Sequence, residues 1–153
     1  MEEYYGNAEL LNCKLVAFFA SRNTTADAST LAHRWAEEIA TTNKVVISGF
    51  HSALEREVMD ILLRHKRPII VGLGRTLYKK IPTIYHEAIK ENRILFISYR
   101  NHSRHSWSNA QIRNWSIAQE VDNIVFAPYP EESMLSTLHY TLSLGNKNIE
   151  VLK

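Results

Sequence analysis

The stretch VVISGFHSALEREVMDILL, Val45 to Leu63, changes pattern part-way along its length. Val45 to Ser48 is a short run rich in β-branched apolar residues, the composition of a buried strand. Beyond Ser48-Gly49-Phe50-His51 the apolar residues return at Leu54, Val58, Ile61 and Leu62, which is helical spacing. Between the two patterns Ser52 and Glu55 stand at the spacing of a capping box, and Gly49 allows a sharp turn. The stretch predicts a buried strand that hands over to a helix through a tight turn.

The same alternation runs outward in both directions. Strand-like runs occupy Lys14 to Ala20, Val45 to Ser48, Ile69 to Gly72, Ile94 to Ser98, Asn123 to Ala127 and Asn148 to Leu152. Helical spacing fills the intervals: Leu31, Trp35 and Ile39, then Leu54 to Leu63, then Ile84 to Ile89. Ile112, Trp115 and Ile117 mark a fourth helix, and Leu135, Leu138 and Leu142 a fifth that Gly145 ends. Parallel neighbours cannot be joined by a tight hairpin, so this alternation implies parallel strands with crossover helices. Strands apolar along nearly their whole length fit a sheet covered on both faces. The expected architecture is α/β, a single doubly wound Rossmann-like domain over 1–153. Its sheet is mainly parallel, with about six strands and helices on both faces, and 1–12 form an N-terminal extension. Trp35 and Trp115 are expected in the core. A TIM barrel, which takes roughly 250 residues, is excluded by length.

With 45% hydrophobic and 22% charged residues, the composition is that of a soluble globular protein. No apolar run approaches the roughly 20 residues that span a bilayer, so no membrane partner is expected and the cytoplasm is the expected compartment. Cys13 is the single cysteine and agrees with a reducing environment. A net charge of +2 does not by itself point to nucleic acid. Its distribution is more informative, because no acid occurs between Glu91 and Glu120 while Arg93, Arg100, Arg104 and Arg113 do.

Ligands of open α/β sheets bind beyond the carboxyl ends of the strands. The loops there carry Ser21-Arg22-Asn23, Ser48-Gly49-Phe50-His51-Ser52, Gly72-Leu73-Gly74-Arg75, Tyr99 to His105 with Arg100, and Pro128-Tyr129-Pro130. Four of these five loops contain Arg or His, and none contains a carboxylate. A helix N-terminus behind Ser52 exposes unpaired N–H groups that suit phosphate; the same residues would equally serve to cap the helix alone. Ser108 and Gln111 repeat the capping spacing, with Arg113 and Asn114 one turn further, where a guanidinium can grip phosphate in bidentate fashion. Phe50, Trp107 and Tyr129 are candidates for stacking on a base. The pair His102 and His105 lacks matching ligands, and no metal or cofactor is expected. Neither G-x-G-x-x-G nor a Walker A sequence is present.

In order and spacing, ISGFHSALEREVMDILL, RPIIVGLGRTL, AIKENRILFIS and AQIRNWSIAQEVDNIVFA resemble the core of the DNA-processing protein A (DprA/Smf) family. The likeness is strongest to its short stand-alone members related to the LOG nucleotide-binding group. It implies ligand roles for Ser48, Gly49, Gly72, Gly74, Arg113 and Asn114, an acidic position at Glu55, and a late element at Glu132-Ser133. It also implies a homodimer. His51, Ser52 and Ala53 stand where the family has Ala-Arg-Gly, and Trp115 replaces a second Arg. The expected function is binding of a nucleotide-like small molecule or single-stranded nucleic acid. The alternative is a LOG-like hydrolase of a nucleoside monophosphate using His51 or Glu55, although the Pro-Gly-Gly-x-Gly-Thr signature of that group is missing.

Overall fold

A computed structural model of the chain describes residues 2–99 and 107–153. Strands β1 (Glu3–Gly6), β2 (Leu15–Phe19), β3 (Val45–Ser48), β4 (Ile69–Leu73), β5 (Ile94–Ser98), β6 (Asn123–Phe126) and β7 (Asn148–Val151) build a seven-stranded sheet in the order β1-β5-β4-β3-β2-β6-β7. Helices α1 (Ala26–Ile39), α2 (Ala53–Arg64), α3 (His86–Lys90), α4 (Trp107–Gln119) and α5 (Met134–Ser143) make the crossovers, with 3-10 turns at Ala8–Asn12 and Thr83–Tyr85. Strands β2 to β7 all pair in parallel. β1 is antiparallel to β5, with Glu3 opposite Ser98 and Gly6 opposite Leu95.

The six expected strands are present. The seventh, β1, falls in the segment expected to be an extension. Its four residues, EYYG, are all exposed, so no apolar alternation announces a strand. Backbone pairing to β5 creates it, and Gly6 allows the pairing. Gly6 has φ +114°, and a Cβ there would sit 2.3 Å from the carbonyl oxygen of Ile94.

Side chains alternate across the pleat, so each strand supplies two cores. Val16, Phe18, Val46, Ile69, Val71, Ile94 and Phe96 pack beneath α1, α2 and α3, where Trp35 stacks on Phe18 with ring centroids 5.0 Å apart. Ala17, Phe19, Ile47, Ile70, Leu95, Ile97, Ile124 and Phe126 pack beneath α4 and α5.

α4 departs from its expected orientation. Its buried face carries Ala110-adjacent Asn109, Arg113, Asn114, Ile117 and Ala118, while Ile112 and Trp115 are exposed, Trp115 by 44%. Of the three apolar residues that marked the helix only Ile117 faces the core, and the expectation of Trp115 in the core is corrected. The helix also begins at Trp107, so Ser108 lies inside the first turn instead of capping it.

Strand order reverses at β2: the chain moves from β2 through β3 and β4 to β5 on one side, then crosses to β6 and β7 on the other. Such a switch point leaves a crevice beyond the strand ends. Gly6→Ala is expected to lose about 1–3 kcal/mol, the cost of a forbidden backbone conformation, measured by urea denaturation.

Candidate functional site

A cleft of about 690 Å³ lies over the carboxyl ends of β2, β3 and β6, at the switch point. The β2 loop contributes Ser21, Arg22 and Asn23, the β3 turn and α2 contribute His51, Ser52 and Arg56, α4 contributes Arg113 and Asn114, and the loop before α5 contributes Glu132 and Ser133. Helices α1, α2 and α5 start beside it, each with its cap hydroxyl taken by its own first turn: Thr25 accepts from the Ala28 N–H, Ser52 from Glu55 and Ser133 from Leu135.

Glu55 joins two of these walls. Its carboxylate is 3% exposed. Oε2 accepts the Ala20 N–H from the end of β2 at 3.0 Å, and Oε1 accepts the N–H groups of His51 at 3.0 Å and Ser52 at 3.2 Å. The Ser52 hydroxyl donates back to the Ala20 carbonyl at 3.1 Å, closing a capping box that also pins α2 to β2. With three donors on its two oxygens, Glu55 is bound into the scaffold and is not an open acid or base.

Arg113 crosses the β3 turn. It is 4% exposed, and a Cβ on Gly49 would lie 2.6 Å from its Nε. Gly49 is therefore the space into which the guanidinium packs. Nε donates to Asn114 Oδ1 at 3.1 Å, whereas Nη1 is buried and finds no acceptor among the described residues. Burial lowers the Arg113 pKa and the neighbouring Glu55 charge opposes that shift. A buried guanidinium with an unmet donor on a cleft wall suits an anionic oxygen.

Arg22 and Arg56 are exposed on the rim. His51 lies between them, its pKa lowered from 6.5 first by partial loss of water and then by the charge of Arg113, with Glu55 opposing. The rim expected to be free of carboxylates is not: Glu132 lines the cleft because the loop after β6 folds back over the strand ends.

Several predicted site residues lie elsewhere. Ser48 is fully buried and its hydroxyl accepts the Phe50 N–H at 3.1 Å, which shapes the turn. Phe50 has φ +46°, and its ring is 3% exposed within the α1–α2 core, so it is no stacking platform. Gly72 makes room for Ile117, whose Cδ1 would be 2.7 Å from a Cβ there, and Gly74 is buried. Arg75 lies away from the cleft, its guanidinium 4.8 Å from the centre of the Tyr78 ring. Arg100, the His102–His105 loop and the Trp107 side chain lie outside the described residues. Glu132, Arg56 and Met134 enter the cleft without having been expected there. Of these, only Glu132 carried a signal, as part of the late element.

A family model described as DNA recombination-mediator protein A matches residues 3–151. The chain belongs to this family. Among solved structures it is similar to the DNA processing protein A of Streptococcus pneumoniae, with a TM-score of 0.78 at 19% identity over 98% of this chain. The Helicobacter pylori DNA processing protein A, solved to explain its single-stranded DNA binding mode, gives the same TM-score, identity and coverage of this chain. The chain spans 54% of the Streptococcus protein and 70% of the Helicobacter one. A more distant likeness is to the Moco carrier protein of Chlamydomonas reinhardtii, with a TM-score of 0.61 at 12% identity, covering 91% of this chain and 75% of that one. No curated protein sequence matches the chain. DNA recombination-mediator protein A membership thus agrees with the order of motifs around Ser48-Gly49 and Arg113-Asn114.

Two outcomes follow from this geometry. The His51 ring is expected to titrate below 6.5 in an NMR pH series and to move upward in Arg113→Met, because a nearby positive charge has been removed. Glu55→Ala, which leaves the buried Ala20 N–H and the part-buried His51 and Ser52 N–H groups without their acceptor, is expected to lose about 3 kcal/mol in denaturant unfolding.

Proposed function

We propose that the cleft binds single-stranded nucleic acid by its phosphate backbone, a nucleotide being the smallest unit it would hold. The observation that carries this reading is Arg113, with its unmet Nη1 donor on the wall of a cleft ringed by Arg22, Arg56 and His51. Phosphate offers the acceptor that this donor lacks, and the first turns of α1, α2 and α5 add N–H groups and partial positive charge. Support comes from the family and from the Helicobacter protein with its single-stranded DNA binding mode. The size of the cleft, about 690 Å³, leaves room for more than one phosphate.

Hydrolysis of a nucleoside monophosphate has less support. Glu55 could act as an acid or base only by releasing N–H groups that hold β2 to α2. For the homodimer implied by the family, the exposed Ile112 and Trp115 of α4 and Tyr140 and Leu144 of α5 supply apolar surface.

With a fluorescent single-stranded oligodeoxynucleotide read by anisotropy, Arg113→Ala is expected to weaken binding by about 1.5–3 kcal/mol, the worth of a hydrogen bond to a charged group. Arg113→Lys should recover only part of it, since an ammonium cannot reproduce the planar fork. An unchanged dissociation constant in a folded Arg113→Ala protein overturns the reading. Affinity should also fall steeply with salt; a flat response would move the assignment to a small ligand. Because His51 gains a positive charge on protonation, binding should tighten as the pH falls through its lowered pKa.

A further inference from the structure

The loop between β6 and α5 forms the third wall of the cleft, through Pro130, Glu132 and Ser133. Its first residue is tied to the sheet, where the Ala127 N–H donates to the Phe19 carbonyl of β2 at 3.0 Å, and other contacts fix the loop beyond that point. Three rings lie directly behind it. His139 of α5 stacks on the fully buried Phe126 at the end of β6, with centroids 4.8 Å apart and planes 17° from parallel. Tyr129, between Pro128 and Pro130, leans on the same Phe126 at 5.6 Å and on His139 edge-on at 6.0 Å. The Tyr129 hydroxyl and His139 Nδ1 are 2.5 Å apart.

We propose that the Tyr129–His139 hydrogen bond is a latch that sets the cleft's third wall, which makes both side chains positioning residues for the ligand. The inference rests on the cleft being the binding site. The geometry accounts for each component. Stacking on Phe126 fixes the imidazole plane, and with it the direction in which Nδ1 forms its hydrogen bond. The bond between the Tyr129 hydroxyl and Nδ1 ties the middle of the loop to the second turn of α5. Two flanking prolines limit the backbone freedom that the loop would otherwise use to escape. From this anchor the chain runs on through three further contacts. The Ser133 N–H donates to the Pro130 carbonyl at 2.9 Å, the Ser136 hydroxyl to the Glu131 carbonyl at 2.6 Å, and the Leu135 N–H to the Ser133 hydroxyl at 3.1 Å. Met134, the next residue, is where Asn114 ends its reach: the Asn114 amide lies 3.8 Å from its sulfur, while the other end of that amide holds Arg113. The latch is therefore connected to the guanidinium through the loop it holds. Tyr129, expected from its place in the sequence to stack on a base, has its ring occupied on the protein side.

Two substitutions cut the same bond from opposite ends. Tyr129→Phe removes the hydroxyl partner, and His139→Phe removes the nitrogen partner while keeping an aromatic ring to stack on Phe126. Each is expected to weaken oligodeoxynucleotide binding by about three- to tenfold, as one hydrogen bond would. The double variant should be no weaker than either single one, because the two changes remove one interaction. Amide hydrogen exchange gives the second measurement: the N–H groups of Ser133, Leu135 and Ser136 should exchange faster in all three variants, with those of α2 unchanged. Exchange that does not change overturns the latch. Faster exchange with undiminished affinity overturns its positioning role, as does full additivity in the double variant. If the wild-type protein binds no oligonucleotide, the cleft assignment and the positioning role fall together, whereas exchange still decides whether the bond holds the loop.

Discussion

The architecture around the cleft depends on one buried carboxylate. Glu55 takes N–H groups from the end of β2 and from the β3–α2 turn, and so holds the mouths of two adjacent crossovers at a fixed separation. Burying a charge is costly unless its lone pairs are filled, and here the donors are backbone groups at the end of β2 and at the start of α2. Each side thus removes the other's desolvation cost. Hydrogen bonds of this charged kind are worth about 1.5–3 kcal/mol each, enough for one residue to dominate local stability.

Against that fixed frame Arg113 can be held in a poor environment. It is buried, one of its nitrogens lacks an acceptor among the described residues, and its position depends on Gly49 having no side chain. A protein that held this group only for packing would be better served by an apolar residue of similar volume. In the proposed function this donor is one end of a contact that phosphate completes. This view also explains why α4 turns Arg113 and Asn114 inward and leaves Trp115 and Ile112 in solvent. The inward stripe of α4 lines the cleft with Arg113 and Asn114 and then joins the core through Ile117 and Ala118.

Family and fold fit this division of labour. A Rossmann-like sheet supplies a crevice wherever strand order reverses, whatever it comes to bind. The likeness to proteins that share only 19% identity reports the common sheet and crossovers. What characterises this cleft is local: His51 and Ser52 in the turn, and the Tyr129–His139 pair behind the third wall.

The six parallel strands, the crossover helices and the Ser52–Glu55 capping box were all legible in the sequence, because apolar periodicity and capping are local, and the sequence carries local patterns directly. β1 was not legible, since its exposed residues become a strand only through pairing with β5, some ninety positions away. Nor was the orientation of α4: periodicity assigns the apolar side inward, and here Asn109, Arg113 and Asn114 share the inward face with Ile117 and Ala118. Phe50 shares its turn with the cleft residues His51 and Ser52, yet its ring packs into the α1–α2 core, and the segment after β4 sends Arg75 to Tyr78 and away from the cleft. The sequence by itself determined which loops gather at one edge of the sheet. Only the tertiary structure decided which side chains meet there, because that depends on packing between elements distant in the chain and on which buried polar groups find partners.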